Sequence, residues 1–161
     1  MTGWHLLHLP VVAASAHRPT VRPQALAIDV KDLTLRGLVL AGGPGIYVWY
    51  LPWTAIAQIT DYQIEVAALG DIERHSRRWL RQQSKNWMQP SVAVLSVENR
   101  VLGQVQDWII SPQEGMLQGF LLSQGILSDM LFKPLAIPRT HCQVIDSQCM
   151  KILEKGHTDF Q

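Results

Sequence analysis

Two cysteines and two histidines near the C-terminal end are the residues whose types could carry catalysis or bind a metal: His141, Cys142, Cys149 and His157. Adjacent residues of a strand point to opposite faces, so His141 and Cys142 would diverge, and the spacing matches no common zinc pattern. Two cysteines are too few for a disulfide framework and fit a reducing compartment. We predict no metal, no cofactor and no catalytic residue here, with a metal or thiol enzyme around Cys142 and Cys149 as an alternative.

The familiar catalytic motifs are missing from the rest of the chain. The run Gly42-Gly43-Pro44-Gly45 has no following lysine or helix, so it favours a hairpin turn over a phosphate-binding loop. Neither G-x-S-x-G nor H-E-x-x-H occurs. The remaining N-terminal histidines, His5, His8 and His17, are interpreted as surface residues. The sequence therefore predicts a protein that is not an enzyme.

A basic segment in the middle of the chain is the one feature that resembles an interaction surface. Residues 71–87 have one mainly apolar stripe at helical spacing, formed by Ile72, Ser76, Trp79, Leu80, Gln83 and Trp87. Five cations follow the opposite face: Arg74, Arg77, Arg78, Arg81 and Lys85. The pattern predicts an amphipathic helix, either a solvated linker or a patch for RNA, an anionic lipid surface or an acidic protein.

An internal repeat surrounds this segment. When Gly37 is placed on Gly119, a shift of 82 residues, Ile28 meets Ile110 and Pro52 meets Pro134 without a gap. After the prolines the second copy carries about four more residues. The repeat predicts two copies of one small domain.

Each copy has the pattern of short strands separated by turn-forming residues. The segment 6–16 is interpreted as a strand and not as a signal peptide, because no Lys or Arg precedes Arg18. About five or six strands per copy predict a meander that closes into a barrel. The clearest predicted strands are 11–15, 25–30, 33–41 and 47–53 in the first copy, and 92–97, 101–111, 116–123 and 130–133 in the second.

The bulk composition fits a globular protein. The chain has 161 residues, 47% hydrophobic and 17% charged, with a formal net charge of +1. No apolar run reaches the roughly 20 residues that span a bilayer, and we expect a cytoplasmic protein. Any electrostatic partner must therefore meet a local patch.

The second copy resembles the PRC-barrel family. The carrying residues are Arg100-Val101-Leu102-Gly103-Gln104-Val105-Gln106-Asp107 followed by Gly119-Phe120-Leu121-Leu122. The first copy keeps Arg36-Gly37-Leu38-Val39-Leu40 but has Val21 opposite Gly103, with Pro19 and Pro23 interrupting its second strand. The family includes free-standing bacterial proteins, the reaction-centre H subunit and a ribosome-maturation factor. The resemblance implies a docking module and transfers no site residue.

These observations predict a mainly β chain of two small antiparallel PRC-type barrels in tandem. The first barrel would span residues 1–69, the amphipathic linker helix 70–89, and the second barrel with a short tail 90–161. The predicted function is a non-enzymatic adaptor that docks on a protein or ribonucleoprotein through its barrels. The alternative is an RNA- or ribosome-associated factor that uses the basic helix, and self-association is a further expectation.

Overall fold

The computed structural model describes residues 1–13, 21–41, 45–89, 91–125 and 134–153. The chain is mainly β, as predicted. The described residues contain two α-helices, α1 (Gly3–His8) and α2 (Arg77–Gln83). The strands of the first half are β1 (Val11–Ala13), β2 (Pro23–Ile28), β3 (Leu35–Leu40), β4 (Tyr47–Pro52), β5 (Ile56–Ile59), β6 (Ile64–Val66) and β7 (Glu73–Ser76). Those of the second are β8 (Ala93–Leu95), β9 (Val101–Ser111), β10 (Met116–Ser123), β11 (Leu135–Pro138), β12 (Cys142–Asp146) and β13 (Cys149–Ile152).

The strands form three sheets with the orders β2-β3-β4-β7, β1-β6-β5 and β11-β10-β9-β8-β13-β12. Two pairs are parallel, β1 with β6 and β8 with β13, and each joins the first strand of its half to a late one. The second half is one continuous sheet because β9 has eleven residues and reaches β8. In the first half β2 begins only at Pro23, and a single bridge between Val11 and Val21 links it to β1. Proline has no N–H for a ladder bond, which accounts for the late start.

The pairing register of the two halves agrees with the 82-residue shift. Leu26 lies opposite Leu38, and Trp108 lies opposite Phe120. The β-bulges also recur, because the register breaks next to the Pro23–Leu40 pair and next to the Val105–Leu122 pair. The apolar pattern therefore located the equivalent strands β2/β3 and β9/β10 correctly.

The strand that follows is aligned differently from the prediction. Gly37 pairs with Pro52, and Gly119 pairs with Pro138. The residue of the second copy that is equivalent to Pro52 is therefore Pro138 and not Pro134. The extra residues precede this proline, and the predicted strand 130–133 lies outside the described residues. Both glycines are needed for close approach, since a Cβ at Gly37 or Gly119 would collide with the carbonyl oxygen of Leu51 or Ile137.

The N-terminal segment is a helix and not the predicted strand. Thr2 caps α1, its hydroxyl accepting a hydrogen bond from the His5 N–H at 3.2 Å, and Leu6 is fully buried. Of the predicted strand 6–16, residues Val11–Ala13 form β1, and residues 14–16 lie outside the described ranges. Burial of one face stabilises this short helix. The apolar run in the sequence is interrupted, so it did not indicate a helix.

The basic segment is also less helical than predicted. Residues Glu73–Ser76 form β7, which pairs with β4 at the edge of the sheet. Ser76 then caps α2, its hydroxyl accepting from the Trp79 N–H at 3.2 Å. The helix ends at Gln83 and a 3-10 turn follows over Ser84–Asn86. The predicted helix 71–87 is therefore a strand, a two-turn helix and a tight turn.

The two halves meet around an approximate two-fold axis. Thr34 pairs with Met116, its equivalent at the 82-residue shift. The Leu35 N–H donates to Gly115 O at 2.7 Å, and the Leu117 N–H donates to Leu33 O at 3.1 Å. Each of these bonds is the image of the other, since the shift exchanges their partners.

The core is shared between the halves. One cluster of buried side chains includes Leu38 and Leu51 from the first half and Ile110 and Phe120 from the second. Main-chain bonds cross in the same way, since the Ile110 N–H donates to Met1 O at 2.8 Å. Each large apolar side chain contributes about 1.5–3 kcal/mol on burial, so neither half keeps its full stabilisation without the other. The division into domains 1–69 and 90–161 stays a prediction.

Candidate interaction surface

The structure distributes the five predicted cations over three elements. Arg74 lies on β7, with its guanidinium carbon 4.7 Å from the centre of the Tyr47 ring. The others belong to the helix and the turn that follows it: Arg77, Arg78, Arg81 and Lys85. All five are exposed, and none forms an ion pair with another described residue. We call Arg77, Arg78, Arg81 and Lys85 the α2 cations.

An aromatic cluster lies beside α2. Trp79 stacks on His75 at 3.8 Å between ring centres and contacts Tyr50 edge-on at 5.1 Å. Trp87 lies parallel to Tyr50, with 6.1 Å between the ring centres. Such pairs contribute about 0.5–1.5 kcal/mol beyond the burial of their area. The cluster therefore fixes the position of α2 against the first half.

Two strand pairings assemble this cluster. Tyr50 lies opposite Glu73 in the β4–β7 pair, which brings the start of α2 to the sheet. Trp87 bridges Asp29, and the Val30 N–H donates to Asn86 O at 3.0 Å. Tyr50 and Trp87 are each only 8% exposed. The predicted stripe contained Trp79 and Trp87, but no sequence pattern pointed to Tyr50 or His75.

A cleft of about 300 Å³ opens between this cluster and the β2–β3 turn. Its walls are aromatic, its rim is charged, and two carboxamides complete it. The lining residues are Asp29, Lys31, Arg36, Tyr50, Trp79, Gln83, Asn86 and Trp87. Its volume is at the lower end of the roughly 300–1,000 Å³ typical of small-ligand pockets.

The charged groups of the cleft are mostly neutralised within the turn. Arg36 forms ion pairs with Asp29 at 3.1 Å and with Asp32 at 2.6 Å. Burial raises the pKa of the Asp32 carboxyl, but hydrogen bonds from Thr34 and the charge of Arg36 outweigh it and hold that pKa below its ordinary value. Asp29 also accepts the Lys31 N–H at 2.8 Å. Lys31 adds an ammonium group that forms no ion pair with a described residue.

Tyr50 is a neutral wall of this cleft. Burial, and then the nearby carboxylate of Glu73, raise the pKa of its phenol to about 12. The hydroxyl therefore keeps its proton at physiological pH. It can donate a hydrogen bond but cannot act as a base.

The two cysteines of the predicted thiol and metal candidates lie apart. Cys142 lies opposite Ile152, whereas Cys149 lies opposite Asp146 at the other end of the β12–β13 hairpin. Burial raises the pKa of the Cys142 thiol to about 11, which keeps it protonated. The described residues contain no group of three or more His, Cys, Asp and Glu side chains that could hold a metal. His17 and His157 lie outside the described ranges.

Neither described helix could cross a bilayer. They have six and seven residues, whereas a spanning helix needs about 20 apolar ones. The exposed surface of the described chain includes isolated apolar side chains, among them Trp4 and Tyr62. Scattered apolar residues of this kind are ordinary on protein surfaces.

No protein-family model matches this chain, and no curated protein matches it either. The PRC-barrel resemblance therefore stays a prediction.

Proposed function

We propose that this protein is a non-enzymatic docking protein that binds the RNA of a ribonucleoprotein through the α2 surface. One observation carries the proposal: the four α2 cations are exposed without carboxylate partners among the described residues, next to an aromatic cleft. Cations that served only to stabilise the fold would be expected to lie near acidic side chains. A polyanion is the partner that such a surface fits.

The number of cations sets the strength of this contact. The α2 cations together with Arg74 could neutralise about three or four phosphates and so release the counterions that are condensed on the RNA. For single-stranded RNA this corresponds to a slope of about −2 to −3 in a plot of log K against log salt. Raising salt from 50 to 200 mM would then weaken binding roughly 20- to 50-fold. The contact would be auxiliary, adding to other surfaces of a docked complex.

The fold supports a docking role in the same proposal. We infer that each half is a PRC-type barrel, with α2 and β7 inserted between them. The recurring registers of β2/β3 and β9/β10 and the parallel pairs in both halves support this inference. Known settings of that family are docking modules, which agrees with a role in binding.

A protein partner is a second candidate, favoured by the β8–β9 hairpin. Val97, Val101 and Leu102 there are 38%, 72% and 37% exposed. Exposed apolar side chains at a strand end can contact another protein. Under this candidate Val101→Asp would abolish association, whereas charge reversal on α2 would leave it intact.

Charge reversal with a matched control tests the RNA proposal. Arg77→Glu/Arg81→Glu removes two α2 cations, and Arg22→Glu/Arg100→Glu makes the same net-charge change at exposed positions elsewhere. Filter binding to a single-stranded RNA, repeated across a salt series, should show loss of affinity and a shallower slope only for the α2 variant. Equal affinities of the two variants would refute the proposal.

A further inference from the structure

The cleft beside α2 has a chemistry that the phosphate contacts alone do not use. Three of its lining residues are aromatic: Tyr50, Trp79 and Trp87. Trp79 is the most exposed of them, and three rings hold it in place. Aromatic side chains beside a cationic track are the arrangement on which unpaired bases stack.

The carboxamides of Gln83 and Asn86 are the second part of this chemistry. Neither amide group has a hydrogen bond to a described residue, and both lie on the cleft wall. A carboxamide offers a donor and an acceptor side by side, which matches the polar edge of a nucleobase. These two residues therefore offer hydrogen bonds that a nucleobase could form and a purely apolar ligand could not.

Charge decides against a cationic ligand, the other natural guest of an aromatic cleft. Asp29 is the one carboxylate of the lining, and Arg36 and the Lys31 N–H already engage it. The Nη1 group of Arg36 has no hydrogen bond to a described residue. Lys31 and this group favour an anion at the rim. The cleft therefore suits a planar ring that carries a phosphate.

We infer that the cleft binds one nucleobase of a single-stranded RNA whose phosphates lie along the α2 cations. The base would contact Trp79, with Gln83 and Asn86 facing its polar edge and Lys31 near its phosphate. This inference rests on the proposed function, since the α2 cations hold the strand in place. It adds a base-contacting site to what is otherwise a contact with the backbone alone.

The test compares an oligoadenylate RNA of about ten nucleotides with a chain of the same length that lacks its bases. Trp79→Leu keeps an apolar side chain but removes the ring, and it should weaken binding of the oligoadenylate by roughly 5- to 150-fold. The abasic chain should bind wild type and Trp79→Leu equally. Circular dichroism and thermal melting establish that the variant is folded.

Two neighbouring glutamines of α2 provide a test that does not remove a packed aromatic ring. Gln83→Ala removes a cleft amide, whereas Gln82→Ala changes an exposed glutamine of the same helix that does not line the cleft. Only Gln83→Ala should weaken oligoadenylate binding, by several-fold. Equal effects of both variants, or equal losses on the abasic chain, would overturn the base site.

The outcomes separate this inference from the proposed function. If Arg77→Glu/Arg81→Glu weakens both oligonucleotides and Trp79→Leu weakens neither, the RNA contact stands and the base site is refuted. If wild type binds neither oligonucleotide, both proposals fail. If an oligoglutamate peptide binds as tightly as the oligoadenylate, with Trp79→Leu indifferent to both, the surface recognises charge alone and the base site is again refuted.

Discussion

A glycine at the contact between the halves offers the sharpest test of how the core is shared. Gly115 lies in the β9–β10 turn with φ +64°, and a Cβ there would collide with the indole of Trp53 from the first half. Gly115→Ala should therefore carry two costs. The left-handed backbone costs an alanine about 1–2 kcal/mol, and crowding a packed side chain costs a further 1–3 kcal/mol.

Gly45 is a matched control for the first of these costs. It has the same φ of +64°, but a Cβ there would meet nothing within 4 Å. Gly45→Ala should lower the free energy of unfolding by the backbone cost alone, about 1–2 kcal/mol. The two variants should then differ by about 1–3 kcal/mol, which is the price of displacing Trp53.

Urea unfolding followed by circular dichroism measures both variants. For a chain of this size each kcal/mol lowers the melting temperature by about 2–4 °C, so thermal melts give a second reading. Trp53→Ala should remove most of the difference, and the double-mutant cycle isolates the contact. Equal free energies of unfolding for Gly115→Ala and Gly45→Ala would show that Trp53 does not pack on this turn, and the account of the shared core would be wrong.

Three further predictions concern the core, the cleft and the thiols. Because one core includes both halves, urea unfolding followed by tryptophan fluorescence and by circular dichroism should give one coincident transition; two separated midpoints would indicate independent domains. The raised pKa of Tyr50 means that the unfolded phenol loses its proton first, so stability should fall as pH rises from about 10 to 12, and Tyr50→Phe should flatten that fall in pH-dependent unfolding. In a Cys149→Ser variant, alkylation of Cys142 by iodoacetamide should be slow at neutral pH and should accelerate up to about pH 11, whereas a plateau near pH 8 would contradict its raised pKa.

The strands were predictable where the residue pattern alone determines them. Strands β9 and β10 have alternating apolar residues and a turn with proline and glycine, so their observed bounds match the predicted 101–111 and 116–123. Alignment of the repeat was correct up to Leu40 and Leu122 for the same reason. It failed at Pro52, because two prolines compete there and only the pairing with Gly119 distinguishes Pro138 from Pro134.

The helical predictions failed where distant contacts override local periodicity. Residues 73–76 continue the helical pattern of α2, yet they pair with β4 because its edge would otherwise lack a partner. Three residues of the predicted stripe, Trp79, Gln83 and Trp87, line one cleft, whereas its other members, Ile72, Ser76 and Leu80, do not. Its other wall, with Asp29, Arg36 and Tyr50, comes from strands that the sequence alone does not place beside α2.

The repeat also separates residues that the fold requires from residues that it does not. Gly37 and Gly119 occupy equivalent positions for the same steric reason, and the left-handed position of the turn recurs at Leu33 and Gly115, with φ values of 55° and 64°. The cleft residues show no such recurrence.

At the pairing shifts observed in the structure, Tyr50 corresponds to Ala136, Asp29 to Ser111 and Arg36 to Gln118. The second half builds the same strands without an aromatic side chain or a charge at any of these positions. An architecture that forms with alanine, serine and glutamine does not need tyrosine, aspartate and arginine there. The strands themselves therefore do not require these groups. Tyr50 instead packs on Trp79 and Trp87 and so holds α2 against the first half, and Arg36 pairs with Asp29 beside it, at the place where the proposed ligand would bind.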